Sequence, residues 1–563
     1  MKKLWILCAA ALSLTACLKE EVRSFNTAEN YYRSAAQVES GLNGCYIPLA
    51  TLMRSRGFWL TTDVCTDVMY INSSTMYEAN CDISPAHPSY AATLWSNGYL
   101  GVMRCNEMLA DIRYSVKSGY LSTSEAAPYQ AEAAVMRALY YYLLTATFGD
   151  VPYYTARVTE ENRAVIATLP RMSAEATRDS CVRDIKTWIL ERKALPMKRT
   201  YEAGYRAGAA LGLMVGAKCA LWNQNWTDAV VLIDALEDIY GHYADSPDQF
   251  GKDYLLTDVP FSHKFTRESI WECANLVEAY GIQVSGVIAT ISTPSRKEAP
   301  TDNASQEESG GEGEEDEGTG KQSDYYDGIA IPELGGFART SSSARPTAYF
   351  YKQLLAYDSP DIRGGEYNGN SSSDLTPRGG SGNLAWRWSG YDLKTDPQRT
   401  TRKVLYFNNP GGSTGRPWLG NKFWCFGMYN SKDFNNYRLY RFADALLMKA
   451  EAHLGRGEND LACSYLSITR VRAGLNPVNF AGVGGNAQAL LEEIRCERAR
   501  ELFGEFQRKY DLVRWGIWYE RTRTYSENTY LQTYIRPCHR YWPIPAEQIG
   551  YSGNNLSNDE YAQ

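Results

Sequence analysis

Residues 437–457 read YRLYRFADALLMKAEAHLGRG, with apolar Leu439, Phe442, Ala443, Leu446, Leu447, Ala450 and Leu454 recurring at offsets of three, four and seven. That spacing lines one face of an α-helix. Asn435 or Asn436 is placed to cap its start, and Gly455 and Gly457 permit the left-handed turn that ends it. A second amphipathic helix begins at Asn459 or Asp460, carries Leu461, Ala462, Tyr465, Leu466, Ile468 and Val471, and stops at Gly474 and Pro477. Two antiparallel helices in roughly 35 residues have the dimensions of a tetratricopeptide unit.

The first half repeats this pattern. Helical spacing predicts elements at 35–52, 94–112, 174–195, 205–222 and 226–240, and 131–148 is apolar nearly all round, as a central buried helix would be. The segments 205–222 and 226–240 are separated only by Asn223 to Asn225, giving another helical hairpin of tetratricopeptide length. Such pairs stack because neither buries its apolar face alone. After about residue 250 the pattern dissolves. Residues 270–291 are β-branched and read as short strands or loop. Residues 363–430 mix Gly, Asn, Ser and Pro with Trp386, Trp388, Tyr391, Tyr406, Phe407, Trp418, Phe423 and Trp424, a composition of loops and short hairpins. The expected fold is mainly α, with a helical part at 17–250, an irregular lobe at 251–435 and a second helical part at 436–563.

Charge refines this picture. The formal net charge of the 563 residues is −7, yet residues 298–327 hold eleven acids against Lys321, so the remainder is near neutral. No basic field exists to recruit nucleic acid, which needs clustered Lys and Arg. The acidic Gly-Glu-Ser run cannot bury enough apolar surface to fold and lacks the spaced aspartates of a calcium loop, so a solvated loop is expected. At the start, Lys2 and Lys3 precede an apolar run that ends in Leu14-Thr15-Ala16-Cys17. Residues 1–16 read as an export signal, too short to stay as a span. The Cys17 thiol after small residues is the lipobox pattern, in which it is acylated and becomes the membrane anchor; two or more acyl chains hold stably. Eleven further cysteines, an odd number without a C-x-x-C pair, argue against a disulfide framework and a zinc site.

Motifs for catalysis fail on context. Gly411 to Gly415 fits the nucleophile-elbow formula, but Arg416-Pro417-Trp418 follows it instead of a helix. Gly482 to Ala487 fits the dinucleotide fingerprint but lies between helices, where Asn486 is more simply an N-cap. His87, His242, His263, His453 and His539 are scattered and form no ligand pair at helical spacing. No enzymatic activity, cofactor or metal is expected. Residues 494–516 read as a helix whose Arg498, Glu501, Glu505 and Arg508 stand three and four apart, with Asp511 and Arg514 beyond, an ion-pair ladder lashing it to its neighbours.

That stretch, together with residues 440–452 (YRFADALLMKAEA) and Pro543-Ile544-Pro545, resembles the SusD/RagB family of outer-membrane nutrient-binding lipoproteins. So do Ala131-Glu132-Ala133 with residues 137–142, Phe148 to Pro152, and residues 357–363 (YDSPDIR). Two departures stand out: Phe506 occupies a position where the family usually has Gly, and residues 557–561 only loosely match the usual Asn-Pro-Gly-Tyr ending. The resemblance implies tetratricopeptide-like helical pairs, with the irregular lobe inserted between the third and fourth. It also implies a lipid-anchored protein of the outer membrane facing the exterior, without catalysis, that captures glycans or sometimes peptides and caps a SusC-like TonB-dependent transporter. Lys19-Glu20-Glu21 behind Cys17 resembles the signal for surface display.

Sugar chemistry agrees. A pyranose offers an apolar C–H face and hydroxyl edges, so its site needs flat aromatic platforms and a few polar groups. Trp386, Trp388 and Tyr391 of the lobe, with Tyr70 and Tyr77 from the loop after the first helices, are the candidate ligand-binding residues. A tetratricopeptide scaffold gripping another envelope protein and a glycan-cleaving enzyme are the competing readings.

Overall fold

The computed structural model describes residues 31–83, 90–202, 204–261, 263–275, 344–355, 360–363, 389–391, 402–404, 421–423 and 435–561. In numbering the longer elements in chain order, α1 is Ala35–Met53, α2 is Ala91–Lys117 and α3 is Thr123–Phe148. Ser122 caps α3 and exchanges hydrogen bonds with Glu125 in a capping box, which starts the helix eight residues before the apolar run suggests. From Ala131 to Phe148 every residue is buried. The Tyr140 hydroxyl donates to Cys45 O at 2.6 Å and accepts from Leu49 N at 3.0 Å, pinning α1. Its ring lies on Gly101 of α2, where a Cβ would stand 2.3 Å from it, so only glycine admits the contact.

Next come α4 (Ala174–Ile185), α5 (Ala209–Trp222) and α6 (Trp226–Tyr240). The 174–195 segment is shorter as an α-helix than its periodicity predicts, because it widens into a π turn at Lys186–Glu191. The α5–α6 hairpin turns at Gln224, φ 55°, and Asn225 caps α6 by accepting from Asp228 N. The described residues also form three two-stranded antiparallel ribbons. β1 (Met69–Ile71) pairs with β3 (Ala344–Pro346), β2 (Ser269–Cys273) with β6 (Tyr437–Arg441), and β4 (Ser389–Tyr391) with β5 (Arg402–Val404). The remainder of 270–291 and the acidic run 298–327 lie outside the described residues.

β6 corrects the first helix of the sequence reading. Residues 437–441 are a strand, and the helix, α7, is Phe442–Gly455. Asn435 and Asn436 do not cap it; Asn436 Oδ1 instead accepts from Asn275 N beyond the end of β2, while Arg441 occupies the N-cap without a side-chain bond to the helix's free N–H groups. Gly457, φ 78°, takes the left-handed turn, whereas Gly455 is needed because the Trp226 ring lies on it. α8 is Asn459–Arg472, antiparallel to α7, and α9 is Ala487–Glu501, capped by Asn486 accepting from Gln488 N and Ala489 N.

The single helix expected at 494–516 is two. α9 ends at Glu501, and α10 (Arg508–Arg514) and α11 (Trp518–Tyr525) follow. Between them Gly504 (φ 70°) and Phe506 (φ 62°) are left-handed. A bulky residue rarely tolerates that conformation. Phe506 is held there by packing: its ring stacks on Phe58 at 5.2 Å and is buried.

The break lets the charges of this stretch point into the core. Arg441 reaches Glu268 (2.9 Å), Glu501 (2.6 Å) and Glu505 (2.7 Å). Arg363 holds Asp361, Glu497 and Glu501 at 2.7, 2.9 and 2.7 Å, and Arg472 joins Glu268 to Glu501. Burial alone would raise the carboxyl of Glu501, but Arg472, Arg441 and Arg363 more than offset it and hold it well below the usual range. A second group links Lys218 and Arg498 to Asp444, and Arg498 to Asp511. Buried charges persist only when paired in this way. Glu501 therefore ties α9 to β6, α8 and the 361–363 segment at once, and Arg441 and Arg472 extend the network to Glu268, just before β2.

Candidate functional site

The lobe's aromatic platform is only partly in view. Trp386 and Trp388 lie outside the described residues, as does the Gly411–Gly415 motif, and Tyr391 ends β4 with its backbone opposite Arg402 of β5. Cys17 also lies outside them. The other two candidates are on the page. Tyr70, in β1, is buried with 7% of its surface exposed, and its hydroxyl donates to Glu527 at 3.2 Å. Burial first, and then Glu527, push that hydroxyl up to about 12. A ring so enclosed packs the protein and leaves no open face for stacking. Tyr77 begins a short helical turn, Tyr77–Asn80, and is half-buried.

The segment bearing both tyrosines is docked on the C-terminal part. Asn528 Nδ2 donates to Ala79 O at 2.8 Å and to Asn80 Oδ1 at 2.9 Å, and Thr529 N donates to Asn72 Oδ1 at 3.2 Å. β1 in turn carries β3, and Thr347 donates to Asp67 O at 2.6 Å, so this segment holds one edge of the 251–435 lobe.

Two clefts escaped the sequence reading. Tyr349, just after β3, stacks on Tyr525 of α11 with ring centres 4.0 Å apart, and the Arg521 guanidinium stands 5.5 and 5.7 Å from the two rings. Tyr525 and Arg521, with Glu492, Arg495, Ile517, Glu520 and Thr524, line an open cleft of about 310 Å³. A cleft of about 200 Å³ lies between Trp226 and Trp515, with Arg495, Arg514 and Glu451 as its polar groups. Trp515 donates to Glu451 at 2.9 Å. These residues are distant in sequence, so no local spacing signals them.

No group of His, Cys, Asp and Glu among the described residues could hold a metal ion. His453 Nδ1 is 2.6 Å from Glu458, and His539 is buried, pushed down to about 3 by burial and by Arg536 and Lys509. Among the described residues no helix is long and apolar enough to cross a membrane.

Known proteins share this fold. A model of the SusD family matches residues 427–561, and one described as starch-binding associating with outer membrane matches residues 24–211. SusD-like protein P25 of Formosa agariphila is 24% identical over 580 residues, covering 96% of this chain and 94% of that one. A solved SusD homolog from Bacteroides thetaiotaomicron superposes with a TM-score of 0.66 at 19% identity, over 95% of this chain and 98% of its own. Surface glycan-binding protein A from Bacteroides thetaiotaomicron, in complex with laminarihexaose, gives 0.58 at 18% identity over 93% and 98%. A laminarin binding SusD-like protein gives 0.62 at 19% over 92% and 98%. With both helical parts matched by family models and the whole fold shared, the chain belongs to the SusD/RagB family.

Proposed function

We propose that the chain is a cell-surface lipoprotein that binds glycans and hands them to a SusC-like TonB-dependent transporter. The observation that carries this reading is the fold shared over most of the chain with a protein solved holding laminarihexaose and with a laminarin binding relative. The aromatic density at 386–424 supplies the rings that such a ligand needs. Acylated Cys17 is the tether, and the family description associates such proteins with the outer membrane. A helical body without a membrane-crossing helix among its described residues passes cargo inward only through a partner.

Two experiments test it. The mature chain lacking Cys17 is run against neutral glycans, β-1,3-glucans first, and against peptides by affinity electrophoresis and calorimetry. Retention by at least one glycan is expected; binding of peptides alone overturns the glycan assignment. The anchored chain is then purified in several mild detergents. A co-purifying barrel is expected, and a chain that runs alone in all of them overturns delivery.

A further inference from the structure

Cys65 and Cys81 meet in a small apolar cluster of their own, formed with Leu512, Val513, Trp518, Leu531 and Ile535. Their sulfurs stand 3.1 Å apart and both residues are buried. Closing that contact to a bond of about 2.05 Å takes roughly 1 Å of movement, within reach of small side-chain rotations. Both ends are fixed: Trp518 Nε1 donates to Cys65 O at 2.9 Å, and Cys81 turns out of the Tyr77–Asn80 helix with φ 56°, a conformation that L residues rarely adopt.

A buried cation completes the cluster. Lys509 Nζ lies 4.8 Å from the Trp518 ring centre and 4.0 Å from that of Trp542, and donates to His539 O at 3.0 Å. No carboxylate pairs with it among the described residues, and its charge acts on both sulfurs. The hydrogen bond from Cys81, and then Lys509, lower the Cys65 thiol despite burial, while burial and the same bond raise Cys81. The two thiols are thus shifted in opposite directions, and Cys65 is the more readily deprotonated of the pair.

We propose that Cys65 and Cys81 form a structural disulfide after export, closing a loop that carries Tyr70 and Tyr77. The oxidant is a disulfide, either of an envelope thiol oxidoreductase or of a low-molecular-weight thiol. Both sulfurs are enclosed in the folded chain, so the exchange occurs before the 66–80 segment closes: the Cys65 thiolate attacks the oxidant, its S–S bond breaks, and one half leaves as a thiol. Cys81 then loses its proton, attacks the Cys65 sulfur of the mixed disulfide and displaces the second half. The two protein thiols lose two electrons and two protons, and the oxidant is reduced to two thiols. The product closes the 66–80 loop, whose β1 carries β3, at the point where both cysteines pack on Leu512 and Val513 of α10 and Trp518 of α11.

The oxidising setting rests on the export reading above, so the test separates the two. Full-length chain is fractionated from cells, acid-quenched, alkylated without reductant and mapped by mass spectrometry. A Cys65–Cys81 linked peptide, two hydrogens lighter than its parts and released by reductant, is expected. For a link enclosing about fifteen residues, reductant should lower the melting temperature of the parent by about 3 °C. The double variant Cys65→Ser/Cys81→Ser should melt alike with and without reductant. An exported chain with both thiols fully alkylated overturns the proposal. If the chain is instead found in the cytosol, the export reading fails, and refolding of the purified, denatured protein in oxidised glutathione decides the pairing: a linked peptide sustains it and two free thiols overturn it.

Discussion

Replacing Arg441 by methionine keeps most of the buried stem and removes the charge at the centre of the ion network. Among the described residues the cluster is balanced: Arg363, Arg441, Arg472, Arg500 and Lys422 face Asp361, Glu268, Glu497, Glu501 and Glu505. The variant leaves one carboxylate in excess, with side chains that are 3% exposed or less. Breaking a buried pair from one side costs about 3–5 kcal/mol. With an unfolding entropy of about 2.1 cal/mol/K per residue over the chain, that is a fall in Tm of roughly 2.5–4 °C at pH 7.5. The pH dependence gives a second sign. In the parent, Glu268 and Glu501 are held below the ordinary carboxylate range, the arginines outweighing burial, so their contribution is complete above about pH 5 and is lost as acid protonates them. In the variant, burial is less opposed and their proton affinity rises, so the deficit should shrink between pH 7.5 and 5.5. Calorimetric melts at both values measure it. A variant within about 1 °C of the parent at both, or a deficit that widens on acidification, would refute the charge argument.

Other predictions follow from single contacts. Phe506→Gly removes left-handed strain of about 1–2 kcal/mol but deletes a buried ring worth about 3–5 kcal/mol, so chemical unfolding should show a net loss of roughly 2–3 kcal/mol; a more stable variant contradicts the packing account. Asn486→Ala should cost about 1 kcal/mol in the same assay, because the α9 cap is lost, and an unchanged midpoint refutes the cap. Cys17→Ala should leave the protein soluble or as precursor, and its persistence in the outer-membrane fraction after salt and carbonate washes shows another tether.

The helices at 226–240 and 459–472 were legible because apolar spacing and their Asn and Gly ends point the same way. At 437–441 the reading failed for a stated reason. Periodicity treats arginine as a surface residue, whereas Arg438 and Arg441 are buried by their carboxylate partners in a strand. The break at 502–507 was hidden because spacing carries no record of backbone handedness, although Phe506 in a glycine's usual place was the clue. The family was legible through the markers around Asp361, Arg363, Arg441, Asp444, Arg498 and Glu501, and the structure shows what these residues do: they are the buried ion network. The site was not legible to the same degree. Aromatic composition counts rings without saying which are enclosed, and Tyr70 proves to be enclosed. The Tyr349–Tyr525 and Trp226–Trp515 clefts depend on chain segments that only folding brings together.

Titration of a retained glycan into the parent and into Trp386→Ala, Trp388→Ala and Tyr391→Ala tests the glycan platform most directly. Loss of a stacking ring should weaken binding by about 1–3 kcal/mol, a factor of roughly 5 to 150, while the thermal melt stays in place. Full affinity in all three variants for a glycan that the parent binds would contradict the platform, and a panel in which no glycan binds the parent would contradict the function itself.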